Sequence, residues 1–299
     1  MQFSVWPRAS SPFDEILEVA RHAEATGWDG VWIADHFMPN QADTSGPVGE
    51  AWTTIAALAA LVPRVRLGSL VSGNTYRHPA VLAKMAAQID VVSGGRLTLG
   101  LGAGWQQNEH EAYGIEFHTV KGRLDRLEEA CAVIKGLLTN EVTTFEGRFY
   151  RLDNAPLAPK PVQQPLPLLI GGGGERRTLR IAARYADHWN TWGTPAVLAH
   201  KIEVLRGHCE ALGRDPTSIH VSAQATMVLS DDASVVERAR AADSQRTIAG
   251  NPEQLREIVR AYIDAGVDEL IVPDFNLGSL EQKRATYDRF LNEVATPFR

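Results

Sequence analysis

Short apolar, β-rich runs alternate along the chain with longer segments whose apolar positions recur every three or four residues. The runs at 2–6, 30–35, 65–72, 96–103, 166–171, 188–191, 219–229 and 269–273 read as strands. The segments at 12–26, 50–61, 79–92, 123–138, 176–186, 196–212, 252–265 and 280–294 read as amphipathic helices. Strand followed by helix, eight times over, predicts parallel strands joined by helical crossovers. Gly27, Gly213 and Gly266 stand where helices end, and Pro79 and Pro252 where they begin, matching the positions those residues favour. A doubly wound open sheet also alternates, but it carries a glycine fingerprint after its first strand, and here that region reads WPRASSP. The predicted fold is a (β/α)8 TIM barrel, with residues 1–299 forming one domain.

One stretch breaks the pattern. Within 140–165, TFEGRFYRL predicts a hairpin turning near Glu146–Gly147, and a proline-rich strap follows. A plain barrel needs roughly 250 residues, so the surplus of this 299-residue chain is expected here, as an insertion between strands four and five. It decorates the surface or lids the barrel mouth.

Composition narrows the function. A content of 44% hydrophobic and 22% charged residues is that of an ordinary globular protein. The net charge is −6 with basic residues scattered, which argues against a nucleic-acid or anionic-membrane footprint. No apolar run reaches the length of a membrane span, and MQFSVWPRASSPFDEI lacks the pattern of a secretory leader. A soluble, cytoplasmic protein acting on a small molecule is expected. Cys131 and Cys209 lie in helical patterns without CxxC or Cys/His spacing, so both are expected as free thiols.

Barrel enzymes work at the C-terminal ends of their strands. After the second strand, WIADHF places Asp35 beside His36. A histidine there can act as general acid or base with a carboxylate orienting it, or the pair simply caps the strand. After the third, SLVSGNTYRHP brings small Ser69, Ser72 and Gly73 and polar Arg77 and His78, an edge that a planar ligand can approach or an ordinary turn. After the fourth, Gly100, Gly102 and Gly104 alternate along one face. Barrel interiors are normally filled by branched side chains, so these glycines predict space for a ligand or a neighbouring aromatic. Trp105, Asn108 and Glu109 follow as groups able to stack on or hydrogen-bond a ring. Asn108, His110 and Glu111 lack HExxH spacing, and no metal site is expected.

After the fifth strand, GGGG at 171–174 runs into a helix. Free N–H groups at a helix start predict an anion site, while the missing Lys-Ser/Thr excludes a P-loop. Trp189 and Trp192, after the sixth strand, wall a pocket or fill core.

The strings ADHF, SGNTYRHPAVLAK, DVVSGGRLTLGLGAGW, LLIGGGGERRTLRIAARYADHWN and NPEQLREIVRAYIDAGVDELIV together resemble the luciferase-like monooxygenase superfamily. GAGW and GGGGER are most similar to its coenzyme F420-dependent oxidoreductases. The resemblance implies a cofactor ring against the ends of strands two to four and a phosphate tail in the glycine loop. Contacts would come from Asp35, Ser69, Ser72, Gly104, Trp105, Asn108, Gly172, Gly173 and Gly174, with His36 as active-site base and a non-proline cis peptide at Ser69–Leu70. The related sugar-phosphate dehydrogenases carry a catalytic glutamate where this chain has Trp105, so their substrate chemistry does not transfer. F420 is the expected cofactor, Arg176, Arg177 and Arg180 suiting its acidic tail. The alternative is FMN in a monooxygenase using O2 and a partner reductase, and a third reading is a non-catalytic cofactor-binding protein. The resemblance also implies a homodimer through helices beside strands two and three, and Trp52 belongs to that face or to the core.

Overall fold

A computed structural model describing residues 1–299 closes the alternating runs into a parallel barrel. In chain order the elements are β1 (Gln2–Trp6), α1 (Phe13–Thr26), β2 (Gly30–Ile33), α2 (Ala51–Leu61), β3 (Arg66–Ser69), β4 (Ser72–Gly73), α3 (Pro79–Ser93) and β5 (Leu97–Gly102). Next come α4 (Gln107–Tyr113), α5 (Val120–Thr139), β6 (Val142–Glu146), β7 (Arg151–Pro156), β8 (Leu168–Gly171), α6 (Thr178–Tyr185), β9 (His188–Trp192) and α7 (Pro195–Ala211). Then follow β10 (His220–Gln224), β11 (Thr226–Leu229), α8 (Ala233–Ala242), β12 (Thr247–Gly250), α9 (Pro252–Ala265), β13 (Glu269–Pro273) and α10 (Leu280–Phe290), which runs on into short helical turns at Leu291–Ala295 and Thr296–Phe298. Hydrogen bonding runs β3-β2-β1-β13-β10-β9-β8-β5-β4, and β3 also pairs with β5, which closes the ring. The fold is the (β/α)8 TIM barrel, with β4 continuing β3.

The local reasons are those of the sequence. In α9, Asn251 and Gln254 form a reciprocal capping box, Gly266 ends the helix at φ +92°, and Leu255, Val259 and Tyr262 bury one face. Each such side chain contributes about 1.5–3 kcal/mol on burial.

Three expectations are corrected. The run 219–229 is two strands: β10 stays in the barrel, and after Ala225 the chain leaves to pair β11 with β12 in a separate two-stranded sheet. The surplus length is therefore shared between 140–165 and the β11–α8–β12 unit. The non-proline cis peptide is Leu70–Val71 rather than Ser69–Leu70.

The hairpin β6–β7 forms as predicted but is no lid. Glu129 of α5 accepts the N–H groups of Arg148, Phe149 and Tyr150 at 2.8–3.2 Å. The strap is tied by Gln163 N–H to Asp90 of α3 at 2.9 Å. These contacts hold the insertion against the outer helices, and no residue of 140–165 lines the barrel mouth.

Inside the barrel, the N-terminal end is polar. Glu269, fully buried, accepts from Trp32 Nε1 at 3.1 Å and from Ser4 Oγ at 2.5 Å, and lies 3.3 Å from His220 and 3.4 Å from Arg66. Burial pushes the Glu269 carboxyl up, but these partners hold it at about 2. Above lies an apolar layer of Trp6, Trp32, Leu70, Leu169 and Ile271. Cys131 and Cys209 are free and buried, and burial raises both thiols.

Candidate active site

A cavity of about 960 Å³ opens at the C-terminal ends of the strands. His36, Ser72, Gly104, Trp105 and Gly172 all line it. Its outer wall is the long segment between β2 and α2, through Met38, Pro39, Asn40 and Val48. A βα connection of that length exceeds the usual 2–6 residues, a signal of a functional loop that sequence reasoning passed over.

Asp35 and His36 turn opposite ways, as adjacent residues leaving a strand do. Asp35 is 1% exposed and grips Arg77 bidentately at 2.6 and 3.2 Å. Arg77 also donates to Glu50, the N-cap of α2. Burial works against the Arg77 charge, but the two carboxylates outweigh it and raise its pKa. Asp35 therefore braces the mouth rather than orienting His36.

The carboxylate on His36 is Glu109, from α4. Its Oε1 lies 2.9 Å from His36 Nδ1, its Oε2 accepts Phe37 N–H at 2.8 Å, and Tyr76 O–H donates to Oε1. Burial alone would raise the Glu109 carboxyl, but these three donors hold it below the ordinary range. Tyr76 moves the other way: burial and the adjacent carboxylate keep it protonated. A carboxylate only accepts, so Nδ1 of His36 carries the hydrogen and Nε2 is left without a partner in the chain, on a ring that lines the cavity. The exposed Trp105 ring meets the imidazole edge-on at 5.4 Å. Glu109 was legible only as a polar residue opening a helix, since its pairing with a residue 73 positions away is tertiary.

The glycines of β5 make room for protein, not ligand. A Cβ at Gly100 would lie 1.9 Å from the Ser69 carbonyl oxygen, and at Gly102 or Gly171 one would lie 2.8 Å from a Val71 methyl. Val71 and Leu70 thereby come to line the cavity floor. Ser69 lies below it, bonded through Oγ to the Gly100 carbonyl and amide at 2.9 and 3.1 Å. Ser72 Oγ accepts Trp52 Nε1–H at 2.8 Å, and Trp52, 1% exposed, belongs to the core. Asn108 also stands outside the lining, donating to the Pro39 carbonyl at 3.0 Å and capping Glu109 N–H at 2.9 Å. Thus Ser69, Ser72 and Asn108 spend their polar atoms on the scaffold.

The loop after β8 is open to a ligand. Gly172 N–H donates to the Asn190 carbonyl and Trp189 Nε1–H to the Gly172 carbonyl, both at 2.9 Å, whereas Gly173 and Gly174 donate no N–H within the chain. Thr178 and Thr191 flank them. These free donors at the start of α6 suit a phosphate. Of the three arginines, Arg177 is taken by Asp125 and Glu128 at 2.8 and 3.3 Å, leaving Arg176 and Arg180 exposed and unpaired. Trp189 is core, and Trp192 lines the cavity. His110 has both nitrogens engaged, by the Gln106 carbonyl and Thr75 Oγ1 at 2.6 and 2.7 Å, and no three His, Cys, Asp or Glu side chains cluster for a metal. No helix is long and apolar enough to cross a membrane.

The family described as luciferase-like monooxygenase matches residues 1–244. An F420-dependent hydroxymycolic acid dehydrogenase of Mycobacterium tuberculosis is 33% identical over 261 residues, 86% of this chain and 71% of that protein. The pyrimidine monooxygenase RutA of Escherichia coli is 30% identical over 262 residues, 83% of this chain and 70% of that one. An F420-dependent secondary alcohol dehydrogenase, solved with an F420–acetone adduct, superposes with a TM-score of 0.84 over 98% of both chains at 22% identity.

Proposed function

We propose, from the premise that this chain belongs to the luciferase-like monooxygenase family and is an oxidoreductase, that it uses coenzyme F420 to transfer a hydride to or from a small organic substrate. The observation that carries the reading is an oriented histidine in a cavity whose lining runs through Gly171 and Gly172 into a glycine loop, where the next two N–H groups, of Gly173 and Gly174, are free. F420-dependent relatives support the choice of cofactor.

Gly172, Gly173 and Gly174 would hold the cofactor's phosphate, and the Leu70–Val71 floor, Gly104 and Trp105 its ring. When bound, the deazaflavin supplies two-electron hydride chemistry. The chain supplies the rest. Glu109 fixes the His36 tautomer, so that Nε2 takes or returns the substrate proton. Tyr76 keeps that carboxylate hydrogen-bonded, and the segment between β2 and α2 screens the site from water.

Titrating the purified apoprotein with F420 and with FMN tests this. Micromolar binding of F420 alone supports the reading. FMN alone would move the protein to the second reading, a monooxygenase with O2 and a partner flavin reductase, which the pyrimidine monooxygenase relative favours. Binding without turnover on a substrate panel would leave a cofactor-binding protein. The proposal places the protein in the cytoplasm and, because Leu61 of α2 and Val81, Val91 and Val92 of α3 are exposed, as a homodimer. Sedimentation at monomer mass would remove it.

A further inference from the structure

The cavity wall formed by β1, β13, β10 and β9 differs from the His36 side. Trp6 stands 5.6 Å from Trp192 and 4.9 Å from Phe275, centroid to centroid, giving a continuous aromatic face. The guanidinium of Arg246 lies 5.8 Å from the Trp192 ring. Its side chain makes no ion pair and no hydrogen bond, and it is exposed. Backbone contacts deliver it there: Thr226 N–H donates to the Arg246 carbonyl at 2.8 Å, Thr194 N–H to the Gln245 carbonyl at 3.1 Å, and Asp243 Oδ1 accepts Arg246 N–H at 3.1 Å.

Charge around the cavity is lopsided. Its charged lining residues are Arg8, Asp35 and Arg246; Arg77 neutralises Asp35, and Arg8 donates to the Phe275 carbonyl. Asp274 and Glu15 face the Arg8 charge, so Arg246 is the charged lining residue left without a partner, and a partly enclosed cavity strengthens its field. Two buried polar atoms on the same wall lack partners in the chain, Trp6 Nε1 and Gln224 Oε1, and such atoms call for a ligand or water. A guanidinium over an aromatic face is suited to a carboxylate attached to a flat ring.

Resting on the reading of this cavity as a cofactor-dependent active site, we propose that the Trp6–Trp192–Phe275 wall is the substrate subsite and that Arg246 selects a planar, unsaturated carboxylate. The ring lies on Trp192 and Trp6, and the carboxylate meets Arg246. The unit β11–α8–β12 then has a role, as the holder of the specificity residue.

Calorimetric titration of F420-loaded protein at low ionic strength, with 2-naphthoate and uncharged 2-naphthamide as probes, tests this. The expected result is roughly five- to tenfold tighter binding of the naphthoate, in line with one charge-assisted contact at a partly open site. Arg246→Gln erases the preference, Arg246→Lys keeps part of it, and both variants bind F420 within about twofold of the parent. Equal affinities in the parent, a preference that survives Arg246→Gln, or a loss of F420 affinity in that variant would overturn the proposal, the last by giving Arg246 to the cofactor's own anionic tail. Should F420 fail to bind, the cofactor reading falls by itself, and the same pair of probes on FMN-loaded or unloaded protein still decides the subsite.

Discussion

His36 Nδ1 and Glu109 Oε1 are 2.9 Å apart, joining the end of β2 to the first turn of α4 across the barrel mouth. His36→Ala is expected to bind F420 normally and lose about 10²–10⁴-fold in kcat, the usual worth of a positioned acid–base group. Full turnover in that variant would take His36 out of the mechanism. Glu109→Gln keeps the shape but not the obligate acceptor, so kcat falls about tenfold and the pH profile of kcat/KM changes while F420 affinity and Tm hold. An unaltered pH profile would reduce Glu109 to a structural role.

Gly100 is where the barrel has no room to give. Its missing Cβ is 1.9 Å from the Ser69 oxygen, a backbone atom. Gly100→Ala should cost about 1–3 kcal/mol through overpacking and lower Tm by roughly 2–10 °C. Gly207, inside α7 with nothing within 4 Å of an added Cβ, is the control: Gly207→Ala should raise Tm slightly, because alanine is the better helix former. Equal effects of the two substitutions would refute the packing account.

His188 predicts a pH-dependent stability. Burial and the charge of His220, whose ring centroid is 4.6 Å away, hold it down to about 4 in the fold, against roughly 6.5 in the unfolded chain. Between those values the unfolded chain binds the extra proton, so stability rises with pH. The contribution is fully present above about pH 6.5 and is lost as pH falls toward 4. Melting curves from pH 7.5 to 5 should therefore slope downward on acidification, and His188→Gln should flatten them. A slope unchanged by the substitution would locate the effect elsewhere.

The glycine loop shows how far motif reading reaches. Gly173 and Gly174 keep free N–H groups because four glycines at a strand end leave little else to build. The glycines of β5 were equally visible, but the space they make is filled by Val71 and the Ser69 carbonyl. That occupant comes from the neighbouring strand, and nothing in LGLGAGW names it. Likewise HVSAQATMVL carries no glycine, proline, asparagine or aspartate, so the switch of sheets at Ala225 left no mark.

Periodicity, cap residues and glycines are local: each depends on φ/ψ preference or on which face of an element is apolar. By itself the sequence determined the eight alternations, the barrel they close into, the hairpin, and the strand end that carries His36. What it left to the tertiary structure are the pairings between distant positions: Glu109 rather than Asp35 on His36, Arg77 on Asp35, and Arg246 over Trp192. Which charges meet depends on the geometry of closure and on which buried groups must find a partner, and both are settled only when the whole barrel has formed.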